Sequence, residues 1–252
     1  MLLHEYLENG ADKNPNFPFS EFEGNSLSYQ EANLLSNQLA NKLVSEGLEV
    51  GDRFAFLAKN CTEMAIMYYA ASKVGAVPVP LNYRLADQEW AYIINDSEAK
   101  LIIVKGNEYS DRINQISSEL KNVKKYISIS LDNSIEKFQD FYDWLSDSSN
   151  EKPTLKIHEN DDVYQMYTSG TTGHPKGAVL LQRNVAANIR QYLNSLTLPR
   201  PSRTLLVAPM YHAAAMINMC GCIAIGGTIV IQEDFIPQDV VDCLANEKIT
   251  HT

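Results

Sequence analysis

Between Tyr167 and Gly177 the chain reads Tyr-Thr-Ser-Gly-Thr-Thr-Gly-His-Pro-Lys-Gly. Hydroxyls at Thr168, Ser169, Thr171 and Thr172 can donate to anionic oxygens. Gly170 and Gly173 let backbone N–H groups approach closely, so the segment can form an anion-binding concavity. Lys176 adds a compact charge on a flexible stem that can follow a moving phosphate. Pro175 stiffens the exit and bars the residue before it from helix. A polyphosphate is the ligand this chemistry suits. A Walker loop does not fit, because it needs Gly-Lys followed by Ser or Thr and Lys176 stands between Pro175 and Gly177. The dinucleotide pattern G-x-G-x-x-G is absent as well. A flexible polar linker would tolerate these residues, but it would need neither a lysine after proline nor a buried strand ahead of it. A second candidate is His212, at the head of an apolar helix; a histidine there also reads as a hydrogen-bonded core residue.

The elements that must position these residues alternate between strand and helix. Ser28 to Glu31 forms a capping box, with Ser28 as N-cap. Ala32, Leu35, Leu39 and Leu43 then recur at helical spacing until Gly47. Residues 53–58 read as strand, 62–74 as a helix ended by Gly75, and 77–81 as an extended segment whose prolines place it at a sheet edge or in a connector. Helices at 87–97 and around Ile113, Ile116 and Leu120 alternate with strands at 100–104 and 126–130. Residues 132–160 are polar and irregular apart from a short turn around Phe138, Phe141 and Trp144, and read as a variable surface connection. A strand over 162–167 runs into the hydroxyl-rich segment, followed by an extended piece at 178–180 and a helix over 182–196. Such alternation predicts an α/β fold with mostly parallel, doubly covered sheets, with ligands beyond the carboxyl ends of strands. The segment at Thr168 is expected there.

From Thr204 to Gln232 no Asp, Glu, Lys or Arg occurs. Pro209 and Gly226-Gly227 cut this run, and the piece between, about 24 Å as helix, is too short for a bilayer core of about 30 Å. It reads as a buried strand, helix and strand, with no transmembrane segment. Val240, Val241 and Leu244 make a further helical face, and residues 248–252 resemble the start of a strand. The four cysteines form no CxxC pair and read as reduced thiols of a cytoplasmic protein. The start of the chain is a poor signal peptide. A net charge of −10 argues against nucleic acid and anionic membranes as partners. The oligomeric state is not readable.

The segment from Tyr167 to Gly177 resembles the phosphate-binding signature of the adenylate-forming superfamily of acyl-CoA synthetases, adenylation domains and luciferases. Other segments agree in order. Leu27 to Glu31 resembles that family's L-T-Y-x-E helix start, Ser72 to Leu81 its K-x-G-A-x-x-x-P-L segment, and Pro209 to His212 its later substrate-site segment. The resemblance implies a two-step reaction, in which a carboxylic acid and ATP give an acyl-adenylate and a thiol, commonly coenzyme A, then displaces AMP. It implies that Thr168, Ser169, Gly170, Thr171, Thr172, Gly173 and Lys176 cradle the outer phosphates and that Thr168 contacts Mg²⁺. It also implies that Tyr211, His212, Ala213 and Ala214 line the acid's site, with Lys176 and His212 acting in catalysis. The small side chains from Ala213 to Ala215 leave room for an alkyl chain, and equally allow close helix packing. Asn82-Tyr83-Arg84-Leu85 is most similar to medium- and long-chain fatty acyl-CoA ligases, although Arg84 reads equally as a solvated surface residue. Gln182 departs from the family, which often has histidine there, and this is expected to alter local packing. His174 is assigned no role.

The family's Y-G-x-T-E and T-G-D segments, hinge and small C-terminal domain have no match. The 252 residues are therefore expected to be the N-terminal part of the large AMP-binding domain, inactive alone. Two alternatives stay open: a parent that stops at acyl-AMP or loads a carrier protein, and a non-catalytic half-protein that binds a partner.

Overall fold

The computed structural model describes residues 1–130, 135–168 and 173–252. It begins with elements that periodicity leaves unassigned. Helix α1 (Leu3–Lys13) buries Leu3 and Leu7, four residues apart, and its start is held by Glu5, which accepts the Leu2 N–H at 2.7 Å. Strands β1 (Pro18–Phe22) and β2 (Asn25–Ser28) form a hairpin. Its turn places Glu23 at φ 50° and Gly24 at φ 77°, the pair of left-handed residues a tight hairpin wants.

Helix α2 (Tyr29–Ser45) starts on the expected capping box: Ser28 Oγ accepts the Glu31 N–H, and Glu31 accepts the Ser28 N–H at 2.8 Å. Strand β3 (Arg53–Leu57), helix α3 (Thr62–Val74) and strand β4 (Val77–Leu81) follow as one right-sized crossover unit. Every α3 residue from Met64 to Val74 is buried. The prolines of β4 sit opposite Phe54 and Phe56 at the edge of the sheet, where their missing N–H groups cost no ladder bond.

Helix α4 (Asp87–Asp96), strand β5 (Leu101–Lys105), helix α5 (Asn107–Ile116) and strand β6 (Lys125–Ile129) continue the alternation. Strand β7 (Phe138–Asp140) then extends the parallel sheet to the order β4-β3-β5-β6-β7, and helix α6 (Phe141–Leu145) follows. This corrects the reading of that region as a surface connection. Phe141 and Trp144 are almost fully buried, and the Trp144 indole donates to Glu46 at 2.8 Å.

Strands β8 (Asp162–Thr168) and β9 (Lys176–Leu181) lead to helix α7 (Gln182–Ser195). Strand β10 (Arg203–Leu206), helix α8 (Ala213–Ala224), strand β11 (Thr228–Ile231) and helix α9 (Pro237–Asn246) complete the elements. A second sheet has the order β10-β11-β1-β2, parallel except for its first hairpin. His251 makes a parallel bridge to Thr204, as the start of a strand would. The helical face at α9 is narrower than expected. Val240 packs against Leu205, Val230 and Cys243, whereas Val241 and Leu244 are exposed.

Side chains of the five-stranded sheet alternate between two cores. Phe54, Phe56, Leu101 and Ile103 face α2 and α3 in the core shared with the second sheet. Ala55, Leu57, Ile102 and Val104 face Trp90 of α4 and Ile113 of α5. The molecule is thus an α/β fold with helices on both faces of a parallel sheet. All four cysteines are free and buried, and among the described residues no helix is long and apolar enough to cross a membrane.

Burial of Trp144 gives a test. Trp144→Ala should destabilise the chain by about 3 to 5 kcal/mol, as removal of a large core aromatic does, measured by urea unfolding. A cost below about 1 kcal/mol, the range of ordinary surface changes, would show that α6 is a surface element after all.

Candidate functional site

The hydroxyl-rich segment joins two antiparallel strands. Tyr167 lies opposite Gly177, and Thr168 opposite Lys176. Strands β8 and β9 thus form a hairpin that belongs to neither parallel sheet; β8 packs beside the edge strand β4. Ser169, Gly170, Thr171 and Thr172 lie outside the described residues. Thr168, Gly173 and Lys176 are all exposed, and Lys176 enters no ion pair among the described residues. Gly173 has φ 107°, a left-handed conformation that favours glycine. Gly177 lies close to two side chains: a Cβ there would sit 2.4 Å from Gln165 Nε2 and 2.9 Å from the Tyr167 ring, so those side chains would have to shift.

Those two side chains anchor the hairpin. Gln165 donates to the Tyr167 hydroxyl at 3.0 Å, and Tyr167 donates to Asp96 at 2.6 Å. Burial, followed by the nearby Asp96 carboxylate, raises the Tyr167 phenol well above its ordinary range, so it remains a donor at neutral pH. Arg53 donates to Gln165 at 3.2 Å and to Asp162 at 3.1 Å. At the tip, the His174 ring stacks on Tyr92 of α4 at 4.8 Å between centroids. At the other end of β9, Gln182 is fully buried. It accepts the Leu3 N–H at 3.0 Å and donates to the Ser72 hydroxyl at 2.9 Å. The departure at Gln182 thus fastens the hairpin's base to α1 and α3.

The second group lies where β10 ends. Tyr211 is buried, while His212, Ala213 and Ala214 are exposed. His212 is the N-cap of α8 and gives it no side-chain cap. The first-turn N–H groups and the positive end of the helix dipole therefore stay accessible to an anionic group such as a carboxylate. The Tyr211 ring meets Tyr83 edge-on at 5.6 Å, and Tyr83 donates to Asp234 at 2.8 Å. Lys59 pairs with Asp234 at 2.8 Å. The hydrogen bond from Lys59 is the main reason the Asp234 carboxyl stays below its ordinary range, and Tyr83 adds to it. Arg84 is exposed and lies over the Tyr83 ring at 5.3 Å.

The expected residues thus form two clusters, Thr168 with Lys176 and Tyr211 to Ala214. No hydrogen bond or ring contact joins them directly among the described residues. Tyr68 on α3 is the intermediary: its ring meets Tyr164 of β8 edge-on at 6.0 Å, and its hydroxyl donates to the Met210 carbonyl at 3.3 Å. Neither Tyr68 nor Asn60, which holds the same loop, was legible in the sequence. A cleft of about 440 Å³ elsewhere, between the β1–β2 turn and α9, is lined by Glu21, Glu23, Asp242 and Glu247. Its charge is wrong for a polyphosphate. Among the described residues no cluster of three His, Cys, Asp or Glu side chains could hold a metal. Thr168 offers one hydroxyl, so a Mg²⁺ would fit here only if phosphate oxygens supplied most of its ligands.

Comparison with known proteins gives a consistent result. The family model described as AMP-binding enzyme matches residues 7–252. A long-chain-fatty-acid–CoA ligase of Mycobacterium tuberculosis is 30% identical over 225 residues, covering 88% of this chain and 43% of the relative. A feruloyl-CoA synthase of an Amycolatopsis species is 30% identical over 228 residues, with 90% and 43% covered. A solved Mycobacterium tuberculosis fatty acyl CoA synthetase superposes at a TM-score of 0.87 and 26% identity, over 98% of this chain and 48% of that one. An anthranilate CoA ligase solved with anthranoyl-AMP shares the fold at a TM-score of 0.93 and 22% identity, over 99% of this chain and 49% of that one. The chain spans less than half the length of the curated relatives it matches.

The Lys59–Asp234 pair is open to direct measurement. Lys59→Met should return the Asp234 pKa toward about 4, read by NMR titration. In the wild type the contribution of the depressed carboxyl is present above about pH 4 and fades as the pH falls through its folded value. Both side chains are about one-third exposed, so the loss at neutral pH should stay under about 1 kcal/mol. An unchanged Asp234 titration in the variant would refute the pairing.

Proposed function

The chain belongs to the AMP-binding enzyme family, and from that premise we propose that the whole protein is an ATP-dependent acyl-CoA ligase acting on a fatty acid. The 252 residues are read as the N-terminal part of its adenylation domain. The observation that carries this reading is the hairpin that sets Thr168 opposite the exposed Lys176, at the two ends of a hydroxyl- and glycine-rich segment.

In the reaction, the acid's carboxylate attacks the α-phosphorus of ATP, forming the acyl-phosphate bond as pyrophosphate leaves. The thiol of coenzyme A then attacks the acyl carbonyl, and AMP departs. Residues 168–173 and Lys176 hold the β- and γ-phosphates, and Lys176 balances the charge that grows on the leaving pyrophosphate. A bound Mg²⁺ would supply further charge neutralisation at these oxygens, with Thr168 as a contributing ligand. His212 and the uncapped start of α8 hold the carboxylate. Tyr211 packs beneath them, and the exposed methyls of Ala213 and Ala214 leave space for an alkyl chain. A fatty acid is favoured by the Asn82-Tyr83-Arg84-Leu85 segment and by the similarity to the long-chain-fatty-acid–CoA ligase of Mycobacterium tuberculosis. The free, buried cysteines suit a reducing compartment, and we read the protein as cytoplasmic.

Incubating the whole protein with ATP, a fatty acid and coenzyme A should yield the thioester, followed by mass spectrometry. Accumulation of acyl-AMP alone would favour an enzyme that stops at the adenylate or loads a carrier. Lys176→Ala should cut ATP–pyrophosphate exchange by about 10² to 10³, the scale for loss of one charge-stabilising group, with the circular dichroism spectrum retained. Unchanged exchange would remove Lys176 from the machinery. The 252-residue chain alone should show no turnover and weak ATP binding, and tight binding by calorimetry would count against this reading.

A further inference from the structure

Asn60, in the loop between β3 and α3, is 2% exposed. Its Nδ2 donates to the carbonyls of Ala208 and Gln232, both at 3.1 Å, and its Oδ1 accepts the Met210 N–H at 2.7 Å. A flipped carboxamide would set its oxygen against two carbonyls and its NH₂ against an N–H, so the partners fix its orientation. One buried side chain thus grips three backbone groups on two loops of the other sheet, those leaving β10 and β11. Beside it, Lys59 holds Asp234 at 2.8 Å. Tyr68 of α3 donates to the Met210 carbonyl at 3.3 Å, so both polar groups of Met210's backbone are held from the loop after β3 and the helix that follows it. The next residues are Tyr211 and His212.

We propose that Asn60 is a positioning residue for acid activation. It fixes the backbone of Met210 to His212 against the first sheet, and so sets where the His212 imidazole and the start of α8 stand relative to the hairpin on β8. The proposal rests on reading Tyr211 and His212 as the acid's side of the site. Asn60 grips the loop that carries His212 and makes no hydrogen bond to the β8–β9 hairpin among the described residues. Disturbing it should therefore displace the acid's site and leave the phosphate site in place. A side chain that served stability alone would move both equally.

Asn60→Asp is nearly isosteric and keeps the acceptor for Met210. It replaces the donor with an anionic oxygen facing two carbonyls. In ATP–pyrophosphate exchange by the whole protein with decanoate or hexadecanoate, the KM for acid should rise about tenfold or more while the KM for ATP moves less than about twofold. Hydrogen exchange at the amides of residues 210–212 should quicken, with β3 and β5 unchanged. Tyr68→Phe removes only a hydroxyl and should shift the acid KM the same way by a smaller factor, which keeps the proposal testable if Asn60→Asp does not fold. Equal rises in both KM values, or an unchanged acid KM, would overturn the positioning role. A wild-type protein without exchange activity on any carboxylic acid would overturn the functional reading instead. The amide exchange then still decides the clamp, which unchanged rates at Met210 would refute.

Discussion

Helix α3 is buried over every residue from Met64 to Val74, so its polar groups lose water and depend on partners inside the protein; among the described residues the Tyr69 hydroxyl alone on this helix has no hydrogen bond. The arrangement of the chain follows from those partners. Ser72 takes the Leu3 end of the molecule through His4 Nδ1 at 3.0 Å, and it receives Gln182 at 2.9 Å. Lys73, with 2% of its side chain exposed, is matched by Glu8 at 2.9 Å and Asn33 at 2.9 Å. Tyr68 reaches the Met210 carbonyl. Helices α1 and α2, the hairpin base and the loop after β10 are each drawn to the same helix. An unpaired group at any of these points would cost more than an ordinary surface change, since buried donors and acceptors lose their water without replacement.

This central helix also explains why the candidate site is built from two separated parts. The β8–β9 hairpin and the head of α8 do not touch directly, yet both lean on Tyr68, one through Tyr164 and the other through Met210. A reaction that joins a carboxylate to a phosphate needs its two ligands held at a fixed separation. Packing both supports against one buried helix would hold them at such a separation without direct contact between them. The Tyr68 phenol and the Asn60 carboxamide are both buried and each has only two side-chain torsions, which suits such a task.

Much of the fold was legible because its signals are local. The capping box at Ser28, the apolar strands at β3 and β5, and the glycine after α3 are each decided within a few residues. What was missed is non-local. Helix α1 shows only two leucines on its inner face, and its burial depends on α2 and α3. The β1–β2 turn uses Glu23 in a left-handed conformation, where sequence rules look for asparagine or glycine. Phe141 and Trp144 sit in a polar stretch whose core contacts come from α2 and β6. In the candidate site, the hydroxyl- and glycine-rich segment and His212 were legible as motifs, but the antiparallel pairing of the strands on either side of the first was not. Asn60 is a lone amide in the sequence, and its partners lie 148 to 172 residues away.

Gln182 carries a different kind of consequence. It follows β9 directly and holds the Leu3 N–H, 179 residues distant in sequence. The first residues of the chain are therefore foundations of the hairpin that bears Lys176. An added tag or a trimmed end at Met1 to His4, ordinarily a neutral choice of cloning, would here act as a remote alteration of that hairpin's base.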